Sequence, residues 1–201
     1  LQPNADLSVT HKVSGETVYT YDYKEAGMLY GYLLRSRIAA GKLVRLDISK
    51  ARAMPGVRAV ICAADVPEML AGWSMLDTPL FARDRVRYIG EPLAAIAADS
   101  LAAAHAAAET IEVEIEAGAP VLDLEAACRA DSPLVHPDWQ DYVAADGSDF
   151  PRHGNVAAEC SADPGGIDAI FESAPLVVED EFTSQRQYQA YLEPKSAVAI
   201  Y

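Results

Sequence analysis

The stretch 93–116 constrains the fold of this 201-residue chain more than any other. It opens with a short apolar run, LAAIAA, over 93–98. Residues 101–110 (LAAAHAAAET) follow, ten positions of which six are alanine. Alanine has the highest helix propensity and makes a slim helix that can lie close to a sheet. Asp99 or Ser100 stands where an N-cap belongs. Residues 111–116 (IEVEIE) then alternate strictly, which on a strand places Ile111, Val113 and Ile115 on one face and three glutamates on the other. The spacing predicts strand, helix, strand. A second such unit is predicted upstream, from 42–48 (KLVRLDI) through a short helix at 50–54 to 57–62 (VRAVIC). Its alternation sets Leu43 on one face with Arg45 and Asp47, Ser49 is the expected cap, and Pro55-Gly56 ends the helix.

The remaining pattern is less regular. Residues 19–23 and 28–35, rich in Tyr, Leu and Met, read as strands. Residues 65–84 carry Pro67, Gly72 and Pro79 and read as irregular. Strands are expected at 85–89 and 93–98, separated by Gly90-Glu91-Pro92. Pro92 cannot donate to a ladder and Gly90 permits unusual backbone angles, so a sharp turn or bulge belongs there. Beyond 118 the pattern loosens: a short helix at 122–130, loop-like composition over 131–156, a helix at 166–173, and strands at 176–183 and 197–201. The last strand runs off the end of the chain, and the LQPNADLS start has neither Met nor a signal-peptide pattern. Both ends read as boundaries of a segment cut from something longer.

Self-contained chemistry is hard to find. The cysteines, Cys62, Cys128 and Cys160, are widely spaced, and they read as small buried hydrophobes in a reducing compartment. No Cys-x-x-Cys, His-Glu-x-x-His, P-loop or Gly-x-Ser-x-Gly occurs. His105 falls in the alanine helix as a packing or surface residue, and Glu112, Glu114 and Glu116 read as a solvated sheet face. The net charge of −14 is concentrated in residues 101–201, with 4 Lys/Arg against 19 Asp/Glu. That half repels phosphate backbones, which argues against nucleic acid. No apolar run reaches the roughly 18–20 residues of a membrane span.

Five segments, in order and in one frame, resemble the start of the molybdenum-binding subunit of the xanthine dehydrogenase and aldehyde oxidase family. They are MLYGYLLRSRIAAGKLVRL (28–46), DISKARAMPGVRAVICAADVP (47–67), VRYIGEPLAAIAAD (86–99), Gly154-Asn155, and GIDAIFESAPLVVEDEF (166–182) leading to Gln187 and 191–194. Two departures stand out: Arg37 and Ala39-Ala40-Gly41 replace the family's Pro and Ala-His-Ala, and Gln189 stands where many members have His. The resemblance implies an α+β fold: an N-terminal extension at 1–17, an α/β hammerhead domain with a mixed sheet and short helices at 18–130, a connector at 131–160, and the start of a molybdopterin-binding domain at 161–201. It further implies an oxidoreductase that hydroxylates an aldehyde, purine or N-heterocycle with oxygen from water, helped by a glutamate base. Molybdopterin, 2Fe-2S clusters and FAD would be the cofactors, and none would be bound by this segment alone. The partners would be the remainder of the molybdenum-binding subunit and the iron–sulfur and flavin subunits or domains, in the cytoplasm, with the periplasm as the alternative. The family's Gly-rich cofactor loop and its base belong to downstream sequence, so no catalytic, cofactor-binding or metal-binding role falls on any residue here. Tyr88, Gly90, Glu91 and Pro92 form the structural signature. In the loop 68–80, Trp73, Met75 and Leu76 read as covering the hammerhead core; the resemblance implies the alternative that Trp73 and Met75 line the entrance of the funnel through which substrate reaches molybdenum.

Two other readings compete. One is a non-enzymatic module that keeps the hammerhead as a docking surface. The other is a small hydrolase with an unrecognised site.

Overall fold

A computed structural model describes residues 7–149, 151–162, 165–191 and 195–200. The chain divides into two units, Leu29–Pro164 and a second made from Leu1–Met28 with Gly165–Tyr201.

In the larger unit, strand β1 (Tyr30–Arg35) precedes β2 (Gly41–Asp47), helix α1 (Ser49–Arg52) and β3 (Val57–Cys62). Three two-residue strands follow, β4 (Leu70–Ala71), β5 (Met75–Leu76) and β6 (Thr78–Pro79), and then β7 (Arg85–Val86). Next come β8 (Pro92–Ala98), α2 (Leu101–Glu109), β9 (Glu112–Ala117), α3 (Leu124–Cys128) and β10 (Val143–Ala144). The two main sheets have the orders β1-β8-β3 and β7-β2-β9. Every described strand pairing is antiparallel, where a mixed sheet was expected. The reason lies in the crossovers. Each strand–helix–strand unit joins two different sheets, β2 to β3 through α1 and β8 to β9 through α2, so neither produces a parallel neighbour. The α+β class and the short helices are as the sequence indicates.

β8 is the central strand of its sheet, with Leu93 and Ile96 each 1% exposed. Ala104 and Ala107 of α2 are fully buried against that sheet together with Ala94 and Ala98. Methyl-sized side chains on both layers let helix and strand approach closely, as the six-alanine helix leads one to expect. Ser100 is the cap, its side chain accepting from Ala103 N at 3.1 Å.

Several expectations need correcting. Residues 19–23 form a turn, Thr20–Asp22, because Asp22 reaches back to accept from Tyr19 N at 3.1 Å. In β2 a bulge at Val44 breaks the alternation, so Leu46, and not Arg45, follows Leu43 inward. Ser49 does not cap α1: Ile48 holds that position, and Ser49 is the first helical residue, its N–H and hydroxyl both bonded to Asp47 Oδ1. The expected strand 85–89 stops at Val86, since Arg87 N donates to a side chain instead of a ladder. Of the cysteines only Cys62 is buried; Cys128 and Cys160 are exposed.

In the second unit, α4 (Leu7–Ser14) falls within the stretch that the sequence offers only as an extension, and α5 (Ile167–Ser173) lies where a helix is expected. Residues 176–183 and 197–200 are not strands, and the remaining residue of that last expected strand, 201, lies outside the described residues. Val178 is 80% exposed and Phe182 89%. β-propensity alone does not make a strand where no neighbouring backbone completes the ladder.

Candidate functional site

The residues singled out in the sequence fall at two places on the larger unit. The first is the turn between β7 and β8. Glu91 N donates to Tyr88 O at 3.3 Å, and Gly90 sits at φ +92°, a conformation that favours glycine. Pro92 begins β8, where its missing N–H costs no ladder bond inside the strand. This turn is stitched to the end of β1. Ser36 N donates to Glu91 O at 2.9 Å, Gly90 N to Ser36 O at 2.8 Å, and Arg35 Nη1 to Gly90 O at 2.8 Å.

Inside the turn lies an ion pair that sequence reading missed. Arg87 Nη1 donates to Glu91 Oε1 at 3.0 Å, and Arg87 N donates to Glu91 Oε2 at 2.5 Å. Their side chains are 9% and 1% exposed. A carboxylate so deeply buried is tolerated only when its oxygens are satisfied by a cation and by N–H donors. Arg87 Nε is buried with no hydrogen-bond partner among the described residues. The one available signal was an Arg and a Glu four residues apart across a Gly turn, a spacing too common to single out.

Around Arg87 are two further groups. His136 Nδ1 lies 3.1 Å from Tyr142 Oη, their rings meeting edge to face. Burial, reinforced by the Arg87 charge, pushes the His136 imidazole below its ordinary value, and burial pushes the Tyr142 phenol up. Tyr88 is nearly half exposed, yet desolvation raises its phenol as well. Asn155, from the Gly154-Asn155 pair, clasps the connecting segment: its Nδ2 donates to Pro133 O at 3.0 Å and Ala127 O at 3.2 Å, while Oδ1 accepts from Val135 N at 2.9 Å.

The second place is the loop that carries Trp73 and Met75, and the structure separates the two. Met75 is half-buried in the pairing of β5 with β10, with Arg152 Nη1 3.3 Å from its sulfur. Trp73 is 97% exposed. The loop is nevertheless pinned on both sides, by Ala145 N donating to Ser74 O at 2.9 Å and Asp77 N to Ala71 O at 3.3 Å. A Cβ on Gly72 would lie 1.6 Å from Met75 O, so only glycine allows the chain to double back this tightly.

The remaining candidates are structural in place. His105 is exposed, its ring 5.1 Å from that of Tyr32. Glu112 is bonded to Lys50 and lies 3.1 Å from Arg45, and these cations hold its carboxyl below the usual range. Among the described residues no group of three or more His, Cys, Asp or Glu is placed to hold a metal ion.

Comparison with known proteins agrees with this geometry. Residues 14–118, more than half of the chain, match the family model described as aldehyde oxidase and xanthine dehydrogenase, a/b hammerhead domain. A probable xanthine dehydrogenase subunit of Bacillus subtilis is 33% identical over 94% of this chain and 24% of its own length. The nicotinate dehydrogenase large molybdopterin subunit of Eubacterium barkeri is 30% identical over 94% of this chain and 41% of its own length. Among solved structures, reconstituted CO dehydrogenase from Oligotropha carboxidovorans superposes with a TM-score of 0.67 at 27% identity, over 85% of this chain and 22% of that one. Quinoline 2-oxidoreductase from Pseudomonas putida 86 does so with a TM-score of 0.56 at 35% identity, over 62% and 17%. The chain thus spans less than half the length of the curated relatives it matches, and it belongs to the aldehyde oxidase and xanthine dehydrogenase family through its α/β hammerhead domain.

Proposed function

We propose that this chain forms the amino-terminal, hammerhead-bearing part of the molybdenum-binding subunit of a molybdopterin-dependent hydroxylase, with a structural and subunit-contact role. The observation that carries the reading is the alignment of 94% of this chain with only 24% of a probable xanthine dehydrogenase subunit. The buried Arg87–Glu91 pair supports a structural role for the signature turn, since both groups are withdrawn from solvent. In this reading residues 18–130 are the hammerhead domain, 131–160 the connector, and 161–201 the start of the molybdopterin-binding domain. Molybdopterin, iron–sulfur clusters and FAD would sit on the remainder of that subunit and on its partners. The residues present here do not fit an iron–sulfur cluster, because Cys62 is buried while Cys128 and Cys160 are exposed and no thiolate grouping is formed among the described residues. No described helix is long and apolar enough to cross a membrane. Free cysteines support a cytoplasmic location.

Within the complete enzyme, Trp73 and Met75 would line the entrance through which substrate reaches the molybdenum site. The substrate would be an aldehyde, a purine or an N-heterocycle. The test is purification from the source cell through an affinity tag on this chain. Molybdenum, iron and flavin should co-purify in stoichiometric amounts, with a polypeptide or complex far larger than 21.6 kDa. A free 21.6 kDa species without these cofactors would favour the interaction-module reading instead.

A further inference from the structure

Trp73 is 97% exposed, so its own burial does not fix where it stands. Its place is set by the residues beside it. Met75 and Leu76 pair with Ala144 and Val143, and Ala145 N donates to Ser74 O at 2.9 Å. Arg152 Nη1, 3.3 Å from the Met75 sulfur, comes from the same later stretch of chain. A ladder of two residues a side is too short to be stable by itself, so its hold depends on what flanks it.

β10 is anchored by the residue before it. Tyr142 is 7% exposed and Ala144 6%, whereas Val143 between them is 58% exposed. Tyr142 Oη meets His136 Nδ1 at 3.1 Å, with the rings edge to face. The chain between these two residues is closed by its own bonds, Trp139 N donating to His136 O at 3.2 Å and Asp141 N to Asp138 O at 3.0 Å. Asn155 Oδ1 fixes Val135, immediately before His136. Residues 135–142 therefore make a small closed loop that presents one buried phenol at the start of β10. On its other side Tyr142 shares a cavity lining with Arg87.

We infer that Tyr142 is the positioning residue of the Trp73 loop, and that its bond to His136 acts as a latch. With the latch closed, β10 stays on β5 and Trp73 is held in place. With it open, β10 and residues 70–79 loosen together while the main sheets stay folded. This goes beyond the reading given above and does not depend on it, because every group involved lies in the larger unit. The latch also responds to protons. Burial and the Arg87 charge oppose an imidazolium at His136, against the weaker pull of Asp77, Glu91 and Asp138. Opening the ring to water is therefore favoured as pH falls below its ordinary 6.5.

The experiment is hydrogen exchange read by mass spectrometry on the intact protein that carries this chain, purified through its tag. Tyr142→Phe removes the hydroxyl and keeps the ring, and His136→Phe, the second variant, removes the same bond from the other side. Each should raise the opening equilibrium of residues 70–79 and 142–147 by roughly 2- to 10-fold, the range of one hydrogen bond. Exchange in β8 and α2 should not change. The double variant should exceed either single one by less than about twofold, since both remove one bond. Lowering the pH from neutral to below 6.5 should open the same residues further in the unmodified protein, after correction for the chemical exchange rate, and not in His136→Phe. Unchanged exchange at residues 70–79 in both single variants, fully additive increases, or a rise spread equally over β8 and α2 would overturn the inference. So would a pH response that survives intact in His136→Phe.

Discussion

Arg87 and Glu91 meet at 3.0 Å with both side chains withdrawn from water, and the carboxylate's second oxygen closes on Arg87's own backbone N–H. The pair therefore fixes the loop between two strands twice, by charge and by a backbone bond. That loop in turn holds Ser36 and Arg35 through its carbonyls. The hydrogen bonds thus tie the end of β1 to the start of β8.

Removing one partner should be far worse than removing both. Glu91→Ala leaves the Arg87 guanidinium buried and uncompensated, which costs about 3–5 kcal/mol. The double variant Glu91→Leu/Arg87→Met removes both charges and should lose much less than the sum of the single losses. Denaturant midpoints of the two single variants and the double variant check this. Additive losses would mean that the pair is not coupled.

Gly90 gives a contrast between backbone and packing. Its φ is +92°, yet a Cβ there would meet nothing within 4 Å. Any loss is therefore conformational. Gly90→Val should cost on the order of 1–3 kcal/mol, and Gly90→Ala less. An unchanged midpoint for Gly90→Val would show that the turn relaxes freely.

What the sequence made legible follows from how local each signal is. The alanine helix, its Ser100 cap and the Gly90-Glu91-Pro92 turn are decided within a few residues, and the structure has all three. The β2 alternation went wrong because a bulge depends on the partner strand: Val44 is extra only relative to β9. The strand expected at 176–183 lacks a neighbour among the described residues, and a ladder is not encoded in one strand. At the site, Tyr88 to Pro92 stood out as a motif, but the role of Glu91 depends on Arg87, and that of Asn155 on carbonyls more than 20 residues away. Such pairings are properties of the fold.

Acid should loosen the fold in two separable steps. Burial sets His136 below its ordinary 6.5, so the unfolded chain takes up its proton first. Stability from this group is complete above about pH 6.5 and declines as pH falls through the lower folded value. Asp47 is held at about 2 by its bonds to Ser49, against an ordinary 3.8. Its contribution is complete above roughly pH 4 and is lost as pH falls towards 2. In stability–pH curves, His136→Gln should flatten the first decline and Asp47→Asn the second. A His136→Gln curve that still falls as pH drops just below 6.5 would assign that step to another group.

Trp73 is the residue most out of keeping with its surroundings. An indole usually buries most of its large surface, yet this one is 97% exposed on a loop held by bonds at Ser74 and Ala71 and by the close approach at Gly72. Because no described residue of the larger unit covers it, Trp73→Ala should leave the chain's denaturation midpoint within about 0.5 kcal/mol of the parent. Gly72→Ala should instead disrupt the loop, since its Cβ would fall on Met75 O. If Trp73 lines the substrate entrance in the complete enzyme, its removal widens that entrance. kcat/KM for bulky substrates should then rise relative to small ones, with a difference of about 1–3 kcal/mol, or 10- to 200-fold, between extremes. A steady-state comparison of a small aliphatic aldehyde with a fused-ring heterocycle measures this directly. An equal proportional change for both would place Trp73 outside the substrate's path, and a lowered midpoint would show that the indole supports the fold.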